Sequence, residues 1–350
     1  MNENELRVIF LTIALVLSVH AHSMIFNEQY YPTFGNTNIH VASENHLIQH
    51  GEYPLQNDYS YGGGIPNLYV PVYRFFAAQT IFLTGLSFNE INRWIVILFA
   101  LLLPIGYYLL AKEAFGETAG LFSAVLVSIV PEMLVYTIRP LPQAMGLALL
   151  PLAFFAIIKG SKKIAALSSI AIVLIHQEAG VFLVASVFSF AVLSIIINFF
   201  KKEKLVSKLS EKALIAWFAG TLAYFAWHFF VTGNLDVFGL AQFQHHEGAI
   251  VSIQFLIEKT SLLVLLTGLV GAALTIASGL KQKQEAILVL GIFLFSLFAI
   301  KNDLVGLQVF MDRFIVFLQI PLILFAGSTL AFVSKLASKY LGSRKQLQNH

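Results

Sequence analysis

Residues 179–200 read AGVFLVASVFSFAVLSIIINFF, a run of 22 residues without a charged side chain. A transmembrane helix needs roughly 20 consecutive apolar residues, because its backbone polar groups must be satisfied within the segment in hydrocarbon. This run is long enough to cross a membrane and lacks the polar face of a surface helix in a soluble domain. It therefore sets the fold class that the rest of the chain must fit.

The composition of the whole chain agrees with this segment. Of 350 residues, 57% are hydrophobic and 12% are charged, and the mean hydropathy is +0.77. A soluble domain has about 25% charged residues. The absence of cysteine excludes a disulfide scaffold, a cysteine-ligated zinc site and a cysteine nucleophile. We predict an all-α polytopic membrane protein.

Nine other segments are apolar enough to span a membrane, so we predict about ten transmembrane helices, within a range of nine to eleven. The ten predicted spans are 7–26, 93–111, 117–135, 141–158, 163–177, 179–200, 213–231, 258–280, 286–301 and 313–334. Segment 67–86 is similarly apolar but contains Pro71 and Arg74, and a charge inside hydrocarbon costs a few kcal/mol. We interpret 67–86 as a juxtamembrane or re-entrant helix.

Lysine and arginine predict the orientation. With the N-terminus inside, the predicted cytoplasmic segments hold 16 of the 22 lysine and arginine residues. An extra span at 67–86 would move the lysine-rich segments 159–163 and 200–212 outside. We therefore predict a multi-pass protein of the cell membrane with both termini in the cytoplasm, and a lipid bilayer rather than nucleic acid as its partner.

One rival topology fits the charges almost as well. Inverting only the first hairpin would place residues 27–66 in the cytoplasm at almost no cost in the lysine and arginine count. In the main topology, by contrast, the outer face is rich in Asp, Glu and His, the residue types that proton transfer uses.

The chain is predicted to be one domain, 1–350, with a long first outer loop at 27–92. Apolar residues at helical spacing predict a short amphipathic helix that ends at Gly51 and lies on the outer membrane surface. His40 and Glu44 are one turn apart on its polar face, where they could act as an orienting group and a general base. Alternatively, they form a solvated surface pair. Asp58, with Tyr61 nearby, could bind a sugar or belong to an ordinary interfacial loop.

Several motifs now point to a known family. They are Gly35–His40, His50–Pro54, Gly62–Tyr69 and Leu83–Ser87, followed by an Arg139-Pro140 pair, His176 at a span end and an Asp312-Arg313 pair. As a pattern of loops and spans, the chain resembles integral-membrane glycosyltransferases of the GT-C superfamily. It is most similar to the bacterial and archaeal branch that includes membrane proteins catalogued as related to 6-pyruvoyl-tetrahydropterin synthase.

The resemblance implies an exofacial transferase that uses a polyprenyl-phosphate-linked sugar and a glycan, lipid or protein acceptor. Such enzymes commonly use an Asp in the first outer loop, but here the matching position is Asn36. An amide cannot accept a proton as a carboxylate does. Either Glu44, Glu28 or Asp58 takes this role, or the chain is a non-catalytic member that binds or transports a lipid-linked glycan. If Glu44 is the base, Glu44→Gln should abolish turnover.

Further polar residues at span ends are candidates for substrate binding. Arg139 and Arg313 could hold a departing phosphate through bidentate hydrogen bonds, with Asp312 beside Arg313. They could equally be ion-paired or reach lipid headgroups. His176 and Glu178 lie between two spans with almost no loop, so they must face protein or water. They could line a donor cavity or form a plain helical turn.

No cofactor is firmly predicted. A divalent metal ion stays open, with weak support from His176–Glu178 and from His245-His246-Glu247. Nucleotide-binding and α/β-hydrolase motifs are absent from the sequence. The resemblance to GT-C enzymes, together with a tail of about sixteen residues after the last span, leads us to expect no C-terminal soluble domain of the oligosaccharyltransferase type. We therefore predict transfer of a single sugar.

Overall fold

A computed structural model describes residues 3–28, 37–57, 65–234, 250–278, 283–307 and 309–348. The described part is almost entirely helical, as predicted. The helices are α1 (Glu3–Ser23), α2 (Ile25–Glu28), α3 (Thr37–His50), α4 (Val72–Thr84), α5 (Phe88–Phe115), α6 (Glu117–Val127), α7 (Pro131–Thr137), α8 (Pro142–Lys159), α9 (Lys162–Ile175), α10 (Gln177–Lys201), α11 (Lys208–Thr232), α12 (Ile253–Thr260), α13 (Leu262–Ser278), α14 (Gln284–Ile300) and α15 (Ile315–Gln348). A 3₁₀ helix covers Asn302–Val305, and the two-residue strands β1 (Gln56–Asn57) and β2 (Ile65–Pro66) pair antiparallel.

The predicted spans coincide with helices, but not every helix is long enough to cross a bilayer alone. Among the described residues, six helices have the length and apolar composition of a span: α1, α5, α8, α10, α11 and α15. Two bent pairs, α6 with α7 and α12 with α13, raise the number to eight if each pair is one span. Predicted spans 163–177 and 286–301 form α9, with 14 residues, and α14, with 17.

Each of the two bends lies at one residue that interrupts the helix. Pro131 lies at the start of α7, and a proline cannot continue the hydrogen bonding of α6; the two helices make an angle of 65°. Ser261 has a left-handed backbone (φ 59°) between α12 and α13, which make an angle of 104°. A left-handed residue ends a right-handed helix, so each predicted span contains a break.

The helices pack as a bundle around α15. α15 contacts α6, α13 and α14, while α10 packs against α9, α11 and α14. The facing surfaces are apolar, and fully buried phenylalanines such as Phe182 and Phe317 stack with ring centroids 4.8 Å apart. Large apolar side chains on the outside, for example Phe82 and Leu83, are about four-fifths exposed, as expected for lipid contact.

The charged turns gather at one end of the bundle. Lys159 pairs with Glu113 (2.8 Å), and Lys162 pairs with Glu211. Lys212 donates to the carbonyls of Ile158 and Gly160. Three segments predicted to lie in the cytoplasm, 112–117, 159–163 and 200–212, therefore meet one another.

The first loop lies at the opposite end. The Leu68 carbonyl accepts hydrogen bonds from Gln177 Nε2 (2.5 Å) and Trp227 Nε1 (3.2 Å), at the ends of helices remote from the lysine-rich turns. Residues 65–69 thus share one side with the α9–α10 turn. The rival topology with an inverted first hairpin is contradicted by this contact.

The first-loop helices are folded onto protein rather than laid on a surface. Gly51 ends α3 as predicted, with a left-handed backbone (φ 73°) and its N–H bonded to the Leu47 carbonyl. The predicted orientation of the helix, however, is wrong. The buried positions of α3 are Thr37, His40, Ser43, Glu44 and Leu47, so the predicted polar face is the one that packs inward against α4.

Candidate functional site

A cavity of about 630 Å³ opens where the first loop meets the ends of the long helices. Its lining includes four phenylalanines, Phe295, Phe298, Phe310 and Phe314. It also includes the polar side chains His40, Asn67, Gln143, His176, Gln177, Glu178, Asn302 and Arg313. A cavity lined by both apolar and polar side chains suits a ligand that has a hydrocarbon part and a polar head.

The turn between α9 and α10 supplies three of the polar lining residues, His176, Gln177 and Glu178. His176 ends α9 and caps α10, because its Nδ1 accepts the backbone N–H of Ala179 (3.3 Å). An accepting Nδ1 leaves the proton of a neutral ring on Nε2. Burial lowers the pKa of His176, and Arg313 lowers it further while Glu178 opposes both effects. His176 is therefore a neutral side chain near pH 7.

An ion pair between Arg313 and Glu178 lies in the cavity lining next to this turn. Arg313 Nη1 donates to Glu178 Oε1 (2.8 Å), and Gln143 Nε2 donates to Glu178 Oε2 (3.3 Å). The Arg313 side chain is 49% exposed, and its guanidinium lies 4.9 Å from the centre of the Phe310 ring. Because the Arg313 side chain is half-exposed, the pair contributes little to stability. A ligand in the cavity can therefore replace Glu178 as the partner of Arg313, or Arg313 as the partner of Glu178.

Behind the cavity, Arg74 of α4 holds the first loop together. The guanidinium is fully buried and donates to His40 Nδ1 (3.2 Å), to Asn67 Oδ1 (3.2 Å) and to the Tyr53 hydroxyl. The Tyr53 hydroxyl in turn donates to the Tyr69 carbonyl (2.8 Å). One arginine thus connects α3 and α4 with the segment that forms the cavity wall.

Glu44 lies beside this arginine but outside the cavity lining. It is 1% exposed, and burial raises its pKa to about 8, while Arg74 acts in the opposite direction. Within the described part of the chain, Glu44 Oε2 and Arg74 Nη2 have no hydrogen-bond partner. Glu44 is therefore mainly protonated at pH 7, so it cannot readily take a further proton.

The predicted site residues divide into three groups. His40, His176, Glu178 and Arg313 line one cavity. Glu44 is buried behind it, and Arg139, which stacks on the Tyr136 ring (5.3 Å), and Asp312 are not part of its lining. Asn36, Asp58, Tyr61, His245, His246, Glu247 and the Glu28 side chain lie outside the described residues.

Sequence reasoning missed Arg74, Gln143, and the contacts that Tyr53 and Asn67 make with Arg74. A signal existed for Arg74, because an arginine in an apolar segment must find partners in protein or water. The same charge is what excludes segment 67–86 as a membrane span. Tyr53, Asn67 and Gln143 gave no such signal, since polar residues near span ends are common.

A metal ion has no evident ligand set in the part of the chain that the structure describes. No group of three or more His, Asp and Glu side chains is placed there as metal ligands would be. The divalent ion stays a prediction, and residues 245–247 lie outside this search.

Comparison with solved structures identifies the fold. The chain is similar to the oligosaccharyltransferase of Archaeoglobus fulgidus tethered with an acceptor peptide containing the NVT sequon, with a TM-score of 0.68 and 12% identity over 97% of this chain and 51% of that one. It is also similar to ArnT from Cupriavidus metallidurans bound to undecaprenyl phosphate, with a TM-score of 0.65 and 14% identity over 94% of this chain and 61% of that one. A third match is the Archaeoglobus fulgidus oligosaccharyltransferase AglB in complex with an inhibitory peptide and a dolichol-phosphate, with a TM-score of 0.64 and 13% identity over 98% and 52% of the two chains.

The chain shares the fold of these matched proteins, and this likeness confirms the predicted GT-C-like fold. The chain spans about half to three-fifths of their length. No protein-family model and no curated protein matches the sequence. TM-scores of 0.64–0.68 establish the fold, whereas identities of 12–14% leave substrates to be argued from the site.

Proposed function

We propose that this GT-C-fold membrane protein is a glycosyltransferase that moves a sugar from a polyprenyl-phosphate carrier to a hydroxyl acceptor. The observation that carries the proposal is the mixed lining of the cavity. Its phenylalanines fit an isoprenoid chain, and Arg313, which lies against Phe310, fits a phosphate. The match to a structure described as bound to undecaprenyl phosphate supports the same class of donor.

In this proposal the Arg313–Glu178 pair opens when the donor binds. The donor phosphate takes the place of the Glu178 carboxylate on Arg313, which releases Glu178 as a base. The bond between the sugar C1 and the phosphate oxygen breaks, and a bond forms between C1 and the acceptor oxygen. The acceptor proton passes to Glu178, and the negative charge left on the polyprenyl phosphate is stabilised by Arg313.

This assignment places Glu178, rather than Glu44, at the proton transfer. Glu178 lines the cavity and its side chain is 18% exposed, whereas Glu44 is buried and protonated. Asp58 remains a second candidate from the sequence. The outward orientation of the cavity and the identity of sugar and acceptor are further parts of the proposal.

Turnover of lipid-linked sugars by purified protein tests this function. Undecaprenyl-phosphate sugars are supplied in nanodiscs with candidate acceptors, and products are measured by mass spectrometry. We expect Glu178→Gln and Arg313→Met each to lower kcat by about 100-fold or more, because each removes transition-state stabilisation. Arg313→Lys should retain part of the activity, since it keeps the charge but not the bidentate geometry.

Arg93→Met is the matched control, because Arg93 does not line the cavity and stacks instead on Phe26 (5.5 Å). It should leave kcat within about threefold of the wild type. Retained activity in Glu178→Gln would remove Glu178 from the mechanism. Donor binding without any product, in wild type and variants alike, would favour the non-catalytic alternative that binds a lipid-linked glycan.

A further inference from the structure

His40 connects the buried arginine to the cavity. It is 3% exposed, lines the cavity and packs edge-on against the Tyr69 ring, with centroids 5.1 Å apart. A second edge-on ring contact, with Tyr73 (6.0 Å), holds the imidazole from another side. The ring therefore has little freedom to rotate, and the position of its proton is decided by its hydrogen bonds.

Arg74 decides that position. A guanidinium has only donors, so the Nε–H of Arg74 can bond to His40 Nδ1 only if Nδ1 carries no proton. The neutral ring must then carry its proton on Nε2. Within the described part of the chain, Nδ1 is the ring nitrogen that accepts a hydrogen bond, from Arg74. Nε2 is therefore left to donate to a ligand in the cavity.

The surroundings favour a neutral ring and an anionic ligand. Burial lowers the pKa of His40 to about 3, with Arg74 and then His176 acting in the same direction. Among the described residues no ion pair joins Arg74 to a carboxylate, and the neighbouring Glu44 is protonated at pH 7 because burial raises its pKa. The α3–α4 pair thus places an uncompensated positive charge directly behind the His40 ring, where an anion in the cavity would offset it.

We infer that Arg74 is a positioning residue that holds His40 as the Nε2–H tautomer, and that His40 donates this hydrogen to a phosphate oxygen of a polyprenyl-phosphate ligand. The ligand half of this inference rests on the proposed function. The tautomer half does not, since it depends only on the contact between Arg74 and His40.

The tautomer is tested by ¹⁵N NMR of histidine-labelled protein at pH 7, with His40 assigned by difference against His40→Gln. The expected spectrum has an unprotonated Nδ1 and a protonated Nε2. In Arg74→Met the constraint is removed, so both tautomers should appear and the His40 pKa should rise. A protonated Nδ1 in the wild type, or a spectrum that does not change in Arg74→Met, would overturn the assignment to Arg74.

The ligand contact is tested with two isosteric variants. The side-chain amide of Gln reaches the position of Nε2 and can donate there, whereas that of Asn reaches the position of Nδ1 and can satisfy only Arg74. We expect His40→Gln to bind undecaprenyl phosphate within about threefold of the wild type and His40→Asn to lose about tenfold, the value of one charge-assisted hydrogen bond. A purely structural His40 predicts the reverse order, because Asn preserves the Arg74 contact.

Inorganic phosphate and phosphatidylglycerol vesicles are the control ligands. Equal binding of either one, with the same loss in His40→Asn, would show a general phosphate or headgroup site and overturn the polyprenyl assignment. If wild type binds undecaprenyl phosphate but the two variants behave alike, the His40 contact is wrong while the proposed function stands. No binding by wild type would reject the ligand half together with the proposed function.

Discussion

Glu44 shows how burial changes the expected role of a carboxyl group. The sequence placed it on a polar face, where it could accept a proton. In the structure it is 1% exposed beside Arg74, and burial raises its pKa to about 8. Because it does not line the cavity, we now expect Glu44→Gln to retain turnover, in contrast to Glu178→Gln.

The same raised pKa predicts how Glu44 affects stability. Below pH 4.5, the ordinary pKa, the carboxyl is protonated in both folded and unfolded chains. Between pH 4.5 and about 8 only the folded chain keeps the proton, so wild-type stability should fall as pH rises, by at most about 1.4 kcal/mol per pH unit. Glu44→Gln lacks this proton linkage, so its thermal midpoint relative to wild type should increase from pH 5 to pH 8.

Glu113→Gln is the comparison for this stability measurement, since Glu113 lies at the other end of the bundle in an ion pair with Lys159. It should show no relative gain at pH 8. If the difference between Glu44→Gln and wild type stays constant with pH, the buried carboxyl does not keep a proton in the folded protein.

For single residues, the sequence could predict which residue types form the site but not which residues contact each other. The sequence indicates His176 and Glu178 because polar groups between two spans must face protein or water, and Arg313 because a guanidinium suits a phosphate. Arg74 with His40 could not be predicted, because their contact depends on how α3 packs on α4. Residue spacing along one helix carries no information about that packing.

Among the elements, α3 shows why a helix can be predicted and its orientation still be wrong. Its length and its end at Gly51 follow from local spacing and backbone preference. Which face is buried depends instead on its neighbour. Since α4 presents an arginine, the face of α3 with His40 and Glu44 packs inward.

α10 and α14 pack against each other, and both contribute residues to the cavity lining. Glu178 lies in the first turn of α10, and Phe295 and Phe298 lie in the last two turns of α14. A Cβ added at Gly291 of α14 would lie 2.7 Å from the Cα of Phe190 in α10, so the two backbones are in direct contact. A glycine is required there by packing and not by its backbone conformation.

Gly291→Ala should therefore destabilise the protein although alanine favours helix by about 1 kcal/mol. We expect a net loss of about 1–3 kcal/mol from overpacking, measured as a lower thermal midpoint in detergent. Leu294→Ala is the matched control on the same helix, because Leu294 is 41% exposed on the outside, and its effect should be smaller. An unchanged or higher midpoint in Gly291→Ala would show that the two backbones are not in contact at this position.

For the whole molecule, the distribution of charge and the folded contacts agree with each other. The lysine-rich turns predicted to share one side are joined by ion pairs, and the first loop meets the α9–α10 turn at the other end. The fold class could be predicted because apolar run length is a property of single segments. The bends at Pro131 and Ser261 could not, because each lies within a run that is apolar enough to be one span.

Which end faces the cytoplasm is a prediction that labelling can decide. The chain has no cysteine, so a single introduced cysteine reports one position without background. Gln49 in α3 and Ser161 at the start of α9 are both exposed and lie at opposite ends of the bundle. From the excess of lysine and arginine at the Ser161 end, we expect an impermeant maleimide to label Gln49→Cys in intact cells and Ser161→Cys only after permeabilisation.

The reverse labelling pattern would mean that the bundle has the opposite membrane orientation. The cavity would then face the cytoplasm, where nucleotide-linked sugars would become the expected donors. Labelling of both cysteines from one side would contradict the two-ended arrangement itself, because the contacts of Leu68 and of Lys162 place these residues on different sides in any membrane orientation.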